Sequence, residues 1–260
     1  MNDYRPPKFG MFPPVVKNLL IANAVIFVAG LVLQDTFQID IANQFGLHYF
    51  LAKDFKIYQL VTYMFLHGGF MHIALNMFAL WMFGNLIENY WGSKRFLLFY
   101  MVCGIGAGII QEVSLYIYFH HIQNALDIYA SSQDEIGFNY LTNTYFQGIT
   151  GYQMPLNPSE RSSVLSGLYQ FMINSSNTIG ASGAIFGILL AFGMLFPNTL
   201  LYLYFAIPVK AKYFVIGYGL IELYQGIRGS TDDNVAHFAH LGGMLFGLIF
   251  ILYWKRKRTL

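Results

Sequence analysis

Apolar residues fill six stretches of the chain, and polar residues separate them. The stretches cover about residues 15–34, 59–87, 95–118, 180–196, 208–227 and 234–254. A helix needs about 20 mostly apolar residues to cross a bilayer, so each stretch is a candidate span, although the fourth is short and ends at Pro197-Asn198. The pattern predicts an all-α polytopic membrane protein with a bundle of six transmembrane helices.

The polar segments predict how the rest of the chain is organised. We expect residues 1–14 to form a cytoplasmic N-terminal segment, residues 15–254 the membrane domain and residues 255–260 a basic cytoplasmic tail. Residues 119–179 are rich in Tyr, Asn, Ser and Gln and predict an extracytoplasmic insertion within the membrane domain. Residues 35–58 mix apolar and polar positions, which is typical of an amphipathic hairpin or short helices at the interface.

The composition agrees with a membrane protein. Of the 260 residues, 56% are hydrophobic and 11% are charged, whereas a soluble domain carries about 25% charged residues. The first apolar run follows a polar, proline-bearing start and is long enough to span, so we interpret it as an anchor rather than a cleaved signal. The single cysteine, Cys103, excludes an internal disulfide. We expect no cofactor and no nucleic-acid partner.

The basic residues predict the orientation. With six spans, both termini lie on one side of the membrane, and eleven of the fifteen lysine and arginine residues fall on that side. The other four lie in the remaining loops: Lys53, Lys56, Arg161 and Arg228. Because cytoplasmic loops carry the excess of basic residues, we expect both termini in the cytoplasm, with the chain in a bacterial inner (plasma) membrane.

Unusual polar residues lie at one depth of this predicted bundle. Spans two, four and six run from outside to inside, and most of their polar residues fall towards the outer leaflet: His67, His72, Asn76, Ser182, His237 and His240. Ionisable side chains inside a membrane are costly and by default indicate a functional site. We therefore expect the site to open to the extracytoplasmic side.

The spacing of these residues predicts a nucleophilic serine. His240, Gly243 and Gly247 share one helix face, and the glycines allow span six to pack against the small residues around Ser182. This packing is expected to bring the His240 imidazole to the Ser182 hydroxyl. A serine needs such a neighbouring base to act as a nucleophile. No acidic residue is obviously placed to orient His240, so the expected arrangement is a Ser–His dyad.

Other residues are expected to support this dyad. His72 and Asn76 are four apart and share a helix face. Together with backbone N–H groups near Ser182, they can donate hydrogen bonds to a developing oxyanion. Phe186 lies one turn after Ser182 on the same face and is expected to pack against the imidazole of His240.

Plainer interpretations of the same residues stay open at this point. Small residues and a serine within a span commonly form a helix-packing patch, and a membrane histidine commonly bonds a backbone carbonyl. His67, His72, His237 and His240 could together bind a metal, but the chain lacks an HExxH motif and we expect no metal. Three glutamates at the ends of spans are expected to be structural hydrogen-bonding groups: Glu88, Glu112 and Glu222.

Three short motifs follow one another at the same membrane depth. They are His72-xxx-Asn76 in span two, Gly180-x-Ser182-Gly183 at the start of span four, and Ala239-His240-xx-Gly243-xxx-Gly247 in span six. Together they resemble the motifs of the rhomboid intramembrane serine proteases, over about residues 55–254 without the insertion. Two features depart from that pattern. Tyr58-Gln59 stands where many members carry Trp-Arg, and the insertion is longer than the usual connection.

The resemblance implies a fold and a set of roles. The fold would be a six-helix core in which a short serine helix starts below the outer surface, at a water-filled cavity. The nucleophile would be Ser182 and the general base His240. The oxyanion donors would be His72, Asn76 and the Ser182 backbone, with Gly180 shaping the loop before the serine.

These roles predict an intramembrane serine endopeptidase that cleaves transmembrane segments of other membrane proteins near the extracytoplasmic side. Its expected partners are those substrates and the lipid bilayer. The alternative is a catalytically silent rhomboid-like binder of transmembrane clients, although such relatives typically lack the serine or the histidine. A histidine-lined transporter or channel would need polar residues through the whole membrane, whereas here they cluster in the outer half.

Overall fold

The chain folds almost entirely into helices. A computed structural model describes residues 10–146, 157–203, 206–228 and 236–257. In chain order the helices are α1 (Pro14–Phe37), α2 (Ile41–Phe45), α3 (Gln59–Thr62), α4 (Phe70–Ala79), α5 (Asn85–Trp91), α6 (Ser93–Ser132), α7 (Glu135–Tyr145), α8 (Pro158–Ser175), α9 (Ser182–Leu195), α10 (Ala211–Arg228) and α11 (His237–Arg256). Two antiparallel ladders pair β1 (Leu47–His48) with β2 (Asn177–Thr178), and β3 (Leu200–Leu203) with β4 (Ile207–Lys210).

The predicted all-α polytopic fold is confirmed. Within the described ranges, four helical runs are long and apolar enough to cross a membrane: Pro14–Phe37, Phe70–Trp91, Ser93–Ser132 and His237–Arg256. α9 is a shorter apolar helix of 14 residues. At 1.5 Å per residue it is about 21 Å long, against a hydrocarbon thickness of about 30 Å. Parts of the predicted terminal segments and of the insertion lie outside the described residues: 1–9, 147–156 and 258–260.

The second predicted span is not one continuous helix. The structure has the short α3 and a 3₁₀ turn at Tyr63–Phe65, then extended backbone at Leu66, and the long helix begins only at Phe70. Gly68 and Gly69 lie in this break, and glycine disfavours a helix by about 1 kcal/mol per residue relative to alanine. From Phe70 the helix continues to Trp91 through a π-helical turn at Leu80–Gly84. The expectation of one span over 59–87 was therefore wrong at its outer end.

α9 is the central helix of the bundle, and its small residues allow very close packing. Ten of its 14 residues are buried. A Cβ on Gly243 of α11 would overlap the backbone oxygen of Gly183, and a Cβ on Gly187 would overlap the Cys103 side chain of α6. The structure thus confirms the predicted contact between the glycine face of α11 and the small residues at the start of α9. The rest of α9 packs into the apolar core.

The described part of the insertion is helical and has an apolar cluster of its own. α6 continues to Ser132, well past its predicted end near residue 118, and α7 and α8 pack against this extension. These elements share a second apolar cluster, which also takes in Tyr49 and Ala52 from the loop after α1. The cluster comprises Tyr49, Ala52, Phe119, Ile122, Leu126, Tyr129, Phe138, Leu141, Phe146, Leu165, Leu168 and Ile173. That the insertion is extracytoplasmic stays a prediction.

Residues 35–58, expected to form an amphipathic hairpin or short helices, contain one short helix, α2, and the buried Gln59 bonds the backbone of this loop. Gln59 Oε1 accepts hydrogen bonds from the backbone N–H groups of His48, at 3.4 Å, and Lys56, at 3.0 Å. Its Nε2 donates to the backbone oxygens of Gln44 and Asp54. β1 of this loop pairs with β2, only four residues before Ser182. The loop is therefore tied directly to the segment that precedes the serine.

Two of the three span-end glutamates have the structural role that was expected. Glu88 accepts hydrogen bonds from the first free N–H groups of α1, those of Val15 at 2.9 Å and Val16 at 2.8 Å. Glu112 Oε2 accepts the backbone N–H of Phe50 at 2.7 Å, which fastens the outer loop to α6. The third glutamate, Glu222, has a different set of partners.

Candidate active site

Ser182 is the first residue of the central helix, and its hydroxyl contacts the imidazole of His240. The Ser182 Oγ lies 2.8 Å from Nε2 of His240, which is hydrogen-bonding distance. Ser182 is half-buried, whereas only 8% of the His240 surface is exposed. The close packing at Gly243 sets this distance, because it lets the first turns of α9 and α11 lie side by side. The structure brings the two predicted dyad residues together.

Phe186 stacks on the imidazole of His240, as predicted. The two ring centroids are 4.1 Å apart and the rings are inclined by only 7°. Phe186 also contacts Tyr218 of α10, with centroids 5.0 Å apart. The imidazole plane is therefore fixed by an aromatic ring that α10 itself supports.

An acidic residue does contact His240, so the expectation that none is placed to orient it was wrong. Glu222 Oε2 lies 2.8 Å from His240 Nδ1. Glu222 is a residue of α10 with only 3% of its surface exposed, and α10 packs directly against α11. The sequence placed Glu222 near the outer end of span five, but it did not show which face of that helix meets α11.

His237 shares the same carboxylate oxygen. Nδ1 of His237 lies 2.6 Å from Glu222 Oε2, and 8% of the His237 surface is exposed. Glu222, His237 and His240 form the one group of potential metal ligands among the described residues, with ligand atoms within 4.8 Å of one another. The distances from Glu222 Oε2 to the Nδ1 atoms of His237 and His240 are hydrogen-bond distances. A hydrogen bond from an imidazole N–H to a carboxylate oxygen accounts for each of them without an ion. His67 lies elsewhere, beside His72, with ring centroids 5.1 Å apart.

Gly180 lies in the segment just before Ser182, and the imidazole of His72 packs against it. The backbone N–H of Gly180 donates to the Tyr63 carbonyl at 2.9 Å, which holds the residue at φ +131°, a conformation that favours glycine. A Cβ at this position would lie 2.9 Å from Nε2 of His72. Nδ1 of His72 accepts the backbone N–H of Gly68 at 3.3 Å, so in the neutral ring the proton is on Nε2. His72 therefore points a donor towards the loop before Ser182.

Asn76 lies one turn after His72 on the same face of α4, and both side chains line one cavity with Ser182. In the structure Asn76 Nδ2 donates to the backbone oxygen of His72 at 2.8 Å. This bond is local to the helix, so a change of side-chain rotamer can redirect the amide to a ligand in the cavity. Asn76 is thus beside the serine but is not bonded to it.

The cavity at Ser182 has a volume of about 1600 Å³. Its walls come from α4, from α10 and from the segment 175–180 before the serine. The polar side chains that line it include His72, Asn76, Gln111, Ser182, Glu222, Gln225, His237 and His240. Five of the six predicted site residues, all except Phe186, therefore line one space, which is large enough for several residues of a peptide.

Comparison with known proteins identifies the family. The model of the rhomboid domain matches residues 54–118 and 135–257, which is well over half of the chain. The chain therefore belongs to the rhomboid family. The unmatched stretch between these segments falls in the distal part of α6, within the predicted insertion.

Two plant proteins match over most of the chain. RHOMBOID-like protein 12, mitochondrial, of Arabidopsis thaliana is 27% identical over 249 residues, covering 94% of this chain and 58% of the plant protein. Rhomboid-like protein 16, chloroplastic, of the same plant is 24% identical over 246 residues, covering 94% and 62%. The chain spans about three-fifths of the length of these relatives.

A bacterial relative matches a shorter segment more closely. Rhomboid protease GluP of Bacillus subtilis (strain 168) is 44% identical over 56 residues, which is 22% of this chain and 11% of that protein.

Family membership and the apolar helices together define an integral membrane protein of a family that includes proteases. Relatives come from mitochondria, chloroplasts and a bacterium, so the predicted bacterial inner membrane and the orientation stay predictions.

Proposed function

We propose that this chain is an intramembrane serine endopeptidase that cleaves transmembrane segments of other membrane proteins. The observation that carries the proposal is the 2.8 Å contact between Ser182 Oγ and His240 Nε2 at the wall of a large cavity. A hydroxyl paired with an acceptor imidazole is the arrangement that activates a serine as a nucleophile. Membership of the rhomboid family supports the same chemistry.

Ser182 is the proposed nucleophile and His240 the proposed general base. Oγ of Ser182 forms a bond to the carbonyl carbon of the substrate while its proton passes to Nε2 of His240, and the carbonyl electron pair moves onto oxygen. When this tetrahedral intermediate collapses, the C–N bond breaks and the leaving amine takes the proton from Nε2. The first product leaves, and the second remains as an ester on Ser182.

Water completes the reaction. A water molecule from the cavity gives one proton to His240 Nε2 as its oxygen attacks the ester carbon. The C–O bond to Ser182 then breaks, Oγ recovers a proton from Nε2, and the new carboxyl end is released. The cavity contains the polar side chains that a hydrated site in the membrane needs.

The negative oxygen formed in both steps needs fixed donors. His72 offers its Nε2–H, because the Gly68 N–H occupies Nδ1. Asn76 offers Nδ2 once it leaves the carbonyl of His72, and the backbone N–H of Ser182 lies at the start of α9, where helix N–H groups lack an intrahelical partner. Loss of one oxyanion donor typically slows an acyl transfer about 10²- to 10³-fold.

The proposal includes the route of the substrate and the orientation of the enzyme. α4 and α10 both contribute to the cavity wall, so a transmembrane segment would approach laterally between them. The distribution of basic residues predicts that both termini lie in the cytoplasm, and the serine end of α9 would then be extracytoplasmic. Residues 15–254 would then form the membrane domain, with the helical insertion on the extracytoplasmic side.

A regular helix hides its carbonyls from Ser182, so the substrate must unwind at the cleavage site. Replacing small or helix-breaking residues around that site with leucine is expected to lower kcat/KM about tenfold or more. Gly and Pro differ from Ala by about 1 to 3 kcal/mol in a helix, and 1.4 kcal/mol corresponds to a factor of ten. Kinetics on paired model substrates that differ only in these residues would measure the effect. Equal cleavage of the leucine-rich substrate would contradict this requirement.

A serine-reactive fluorophosphonate tests the proposed nucleophile without a known substrate. We expect the purified protein in detergent to be labelled on Ser182, as located by peptide mapping, and labelling to vanish in Ser182→Ala and His240→Ala. Ser114→Ala is the matched control, because Ser114 is a serine of α6 that does not line the cavity. If His240→Ala is labelled as fast as the wild type, Ser182 is not activated, and a client-binding protein that does not cut becomes the better description.

A further inference from the structure

We propose that Glu222 is a positioning residue for the base, so that the working unit is Ser182, His240 and Glu222 rather than a dyad, with His237 holding the carboxylate in place. This inference rests on the proposed serine protease function and deepens it. The residues come from α9, α10 and α11, which meet at the cavity.

The contacts form a continuous chain from the nucleophile to the carboxylate. Ser182 Oγ is 2.8 Å from His240 Nε2, and His240 Nδ1 is 2.8 Å from Glu222 Oε2. Glu222 and His240 are buried, with 3% and 8% of their surfaces exposed. A buried carboxylate needs compensating donors, and the two imidazole N–H groups supply them to a single oxygen.

The carboxylate decides which nitrogen of His240 carries the proton. A neutral imidazole can hold its proton on either nitrogen, and only the form with Nδ1–H leaves Nε2 free to accept from Ser182. An ionised Glu222 is an acceptor only, so it selects that form. It also stabilises the imidazolium that His240 becomes after it takes the serine proton, which is the role of the acid in a catalytic triad.

His237 contacts the same carboxylate oxygen from a neighbouring position of α11. It is three residues before His240, so the two imidazoles emerge from the first turn of α11 on neighbouring faces. Its 2.6 Å contact fixes Oε2 of Glu222 between the two rings. Substitution of His237 by glutamine is expected to lower activity less than substitution of Glu222, because the contact between Glu222 and His240 survives.

α10 supports the imidazole twice. Glu222 binds Nδ1 of His240, and one turn earlier Tyr218 packs on Phe186, which in turn stacks on the face of the His240 ring. The edge and the face of the base are thus both set by the helix that forms one wall of the cavity. This double support argues that α10 positions the base in addition to crossing the membrane.

The test compares Glu222→Gln and Glu222→Asp in the full chain purified in detergent. Glutamine keeps the length of the side chain and loses its charge, whereas aspartate keeps the charge and loses length. We expect Glu222→Gln to lower kcat about 10²- to 10⁴-fold with KM little changed, and to slow fluorophosphonate labelling of Ser182 by a similar factor. Glu222→Asp is expected to retain more activity than Glu222→Gln. If Glu222 only filled space, glutamine would instead retain more activity than the shorter aspartate.

Glu112→Gln is the matched control, because it makes the same change at another buried carboxylate, one that bonds the backbone of Phe50 outside the cavity. We expect it to behave as the wild type. Thermal unfolding and size-exclusion profiles of all variants report folding independently of activity. Rates are compared per folded molecule, so a Glu222→Asp protein that cuts faster than Glu222→Gln on this scale supports the inference even where part of the glutamine variant is unfolded.

Other results would overturn the inference. A Glu222→Gln enzyme with kcat within about twofold of the wild type, while Ser182→Ala is inactive, would leave a dyad as the whole machinery. A rise in KM with kcat unchanged would assign Glu222 to substrate binding. Loss of wild-type activity on treatment with EDTA would mean that Glu222, His237 and His240 hold a metal ion instead. If Ser182→Ala itself cuts at the wild-type rate, the proposed function fails first, which distinguishes the two failures.

Discussion

Substitution of Ser182 by alanine is expected to abolish cleavage of a single-span model substrate, and substitution of His240 is expected to do the same. Each change removes one end of the 2.8 Å contact on which nucleophilic attack depends. Serine hydrolases that lose the nucleophile or the base slow by about 10⁶-fold, so we expect no product above background. Gel-based detection of the two product fragments, with purified enzyme and substrate in detergent, measures the effect.

The controls for this experiment separate chemistry from folding. Ser114→Ala removes a membrane serine outside the cavity and is expected to cut at the wild-type rate. Thermal unfolding of Ser114→Ala and Ser182→Ala should match the wild type closely, since Ser182 is only half-buried and the change removes a single oxygen atom. Undiminished cleavage by Ser182→Ala would show that this serine serves only helix packing, the plainer interpretation that its small neighbours also allow.

Replacing Gly243 by alanine is the change expected to damage the fold most. A Cβ at this position would overlap the backbone oxygen of Gly183, and backbone cannot move aside as a flexible side chain can. Overpacking a well-packed core typically costs about 1 to 3 kcal/mol, and a clash with backbone belongs at the upper end of that range. α11 would have to move away from α9, which would also lengthen the contact between His240 and Ser182.

Gly217→Ala is the matched control for Gly243→Ala. Both residues lie within helices, Gly217 in α10 and Gly243 in α11, but a Cβ on Gly217 would meet no atom within 4 Å. Alanine favours a helix over glycine by about 1 kcal/mol, so the control is expected to be neutral or more stable. The unfolding temperature, measured in one detergent, and the rate of Ser182 labelling should both fall for Gly243→Ala and not for Gly217→Ala. Equal stability of the two variants would contradict the close packing of α9 and α11.

The sequence predicted those elements that depend on local composition. Apolar stretches located the long membrane helices, because an uncharged run of about 20 residues has few stable alternatives to a span. The same stretches could not show that α6 continues to Ser132, since beyond the membrane a helix depends on what packs against it. Here the partners are α7, α8 and Tyr49, which come from distant parts of the chain.

The proximity of Ser182, His240 and Phe186 in the candidate site could also be predicted from the sequence. His240, Gly243 and Gly247 repeat with helical spacing, and the glycines required a close neighbour, which the small residues around Ser182 supplied. Phe186 followed from the same periodicity. The structure brings these residues together because each contact involves residues of one helix, or of two helices whose small faces fit each other.

Composition and spacing by themselves predicted a polytopic helical membrane protein with a serine and a histidine at one depth, and three short motifs added the resemblance to the rhomboid family. Only the tertiary structure decided that Glu222 and His237 join them, and that Gln59 organises the outer loop. A hydrogen bond between side chains on different helices depends on how each helix is rotated about its axis. That rotation is set by the packing of the whole bundle, which no local pattern encodes.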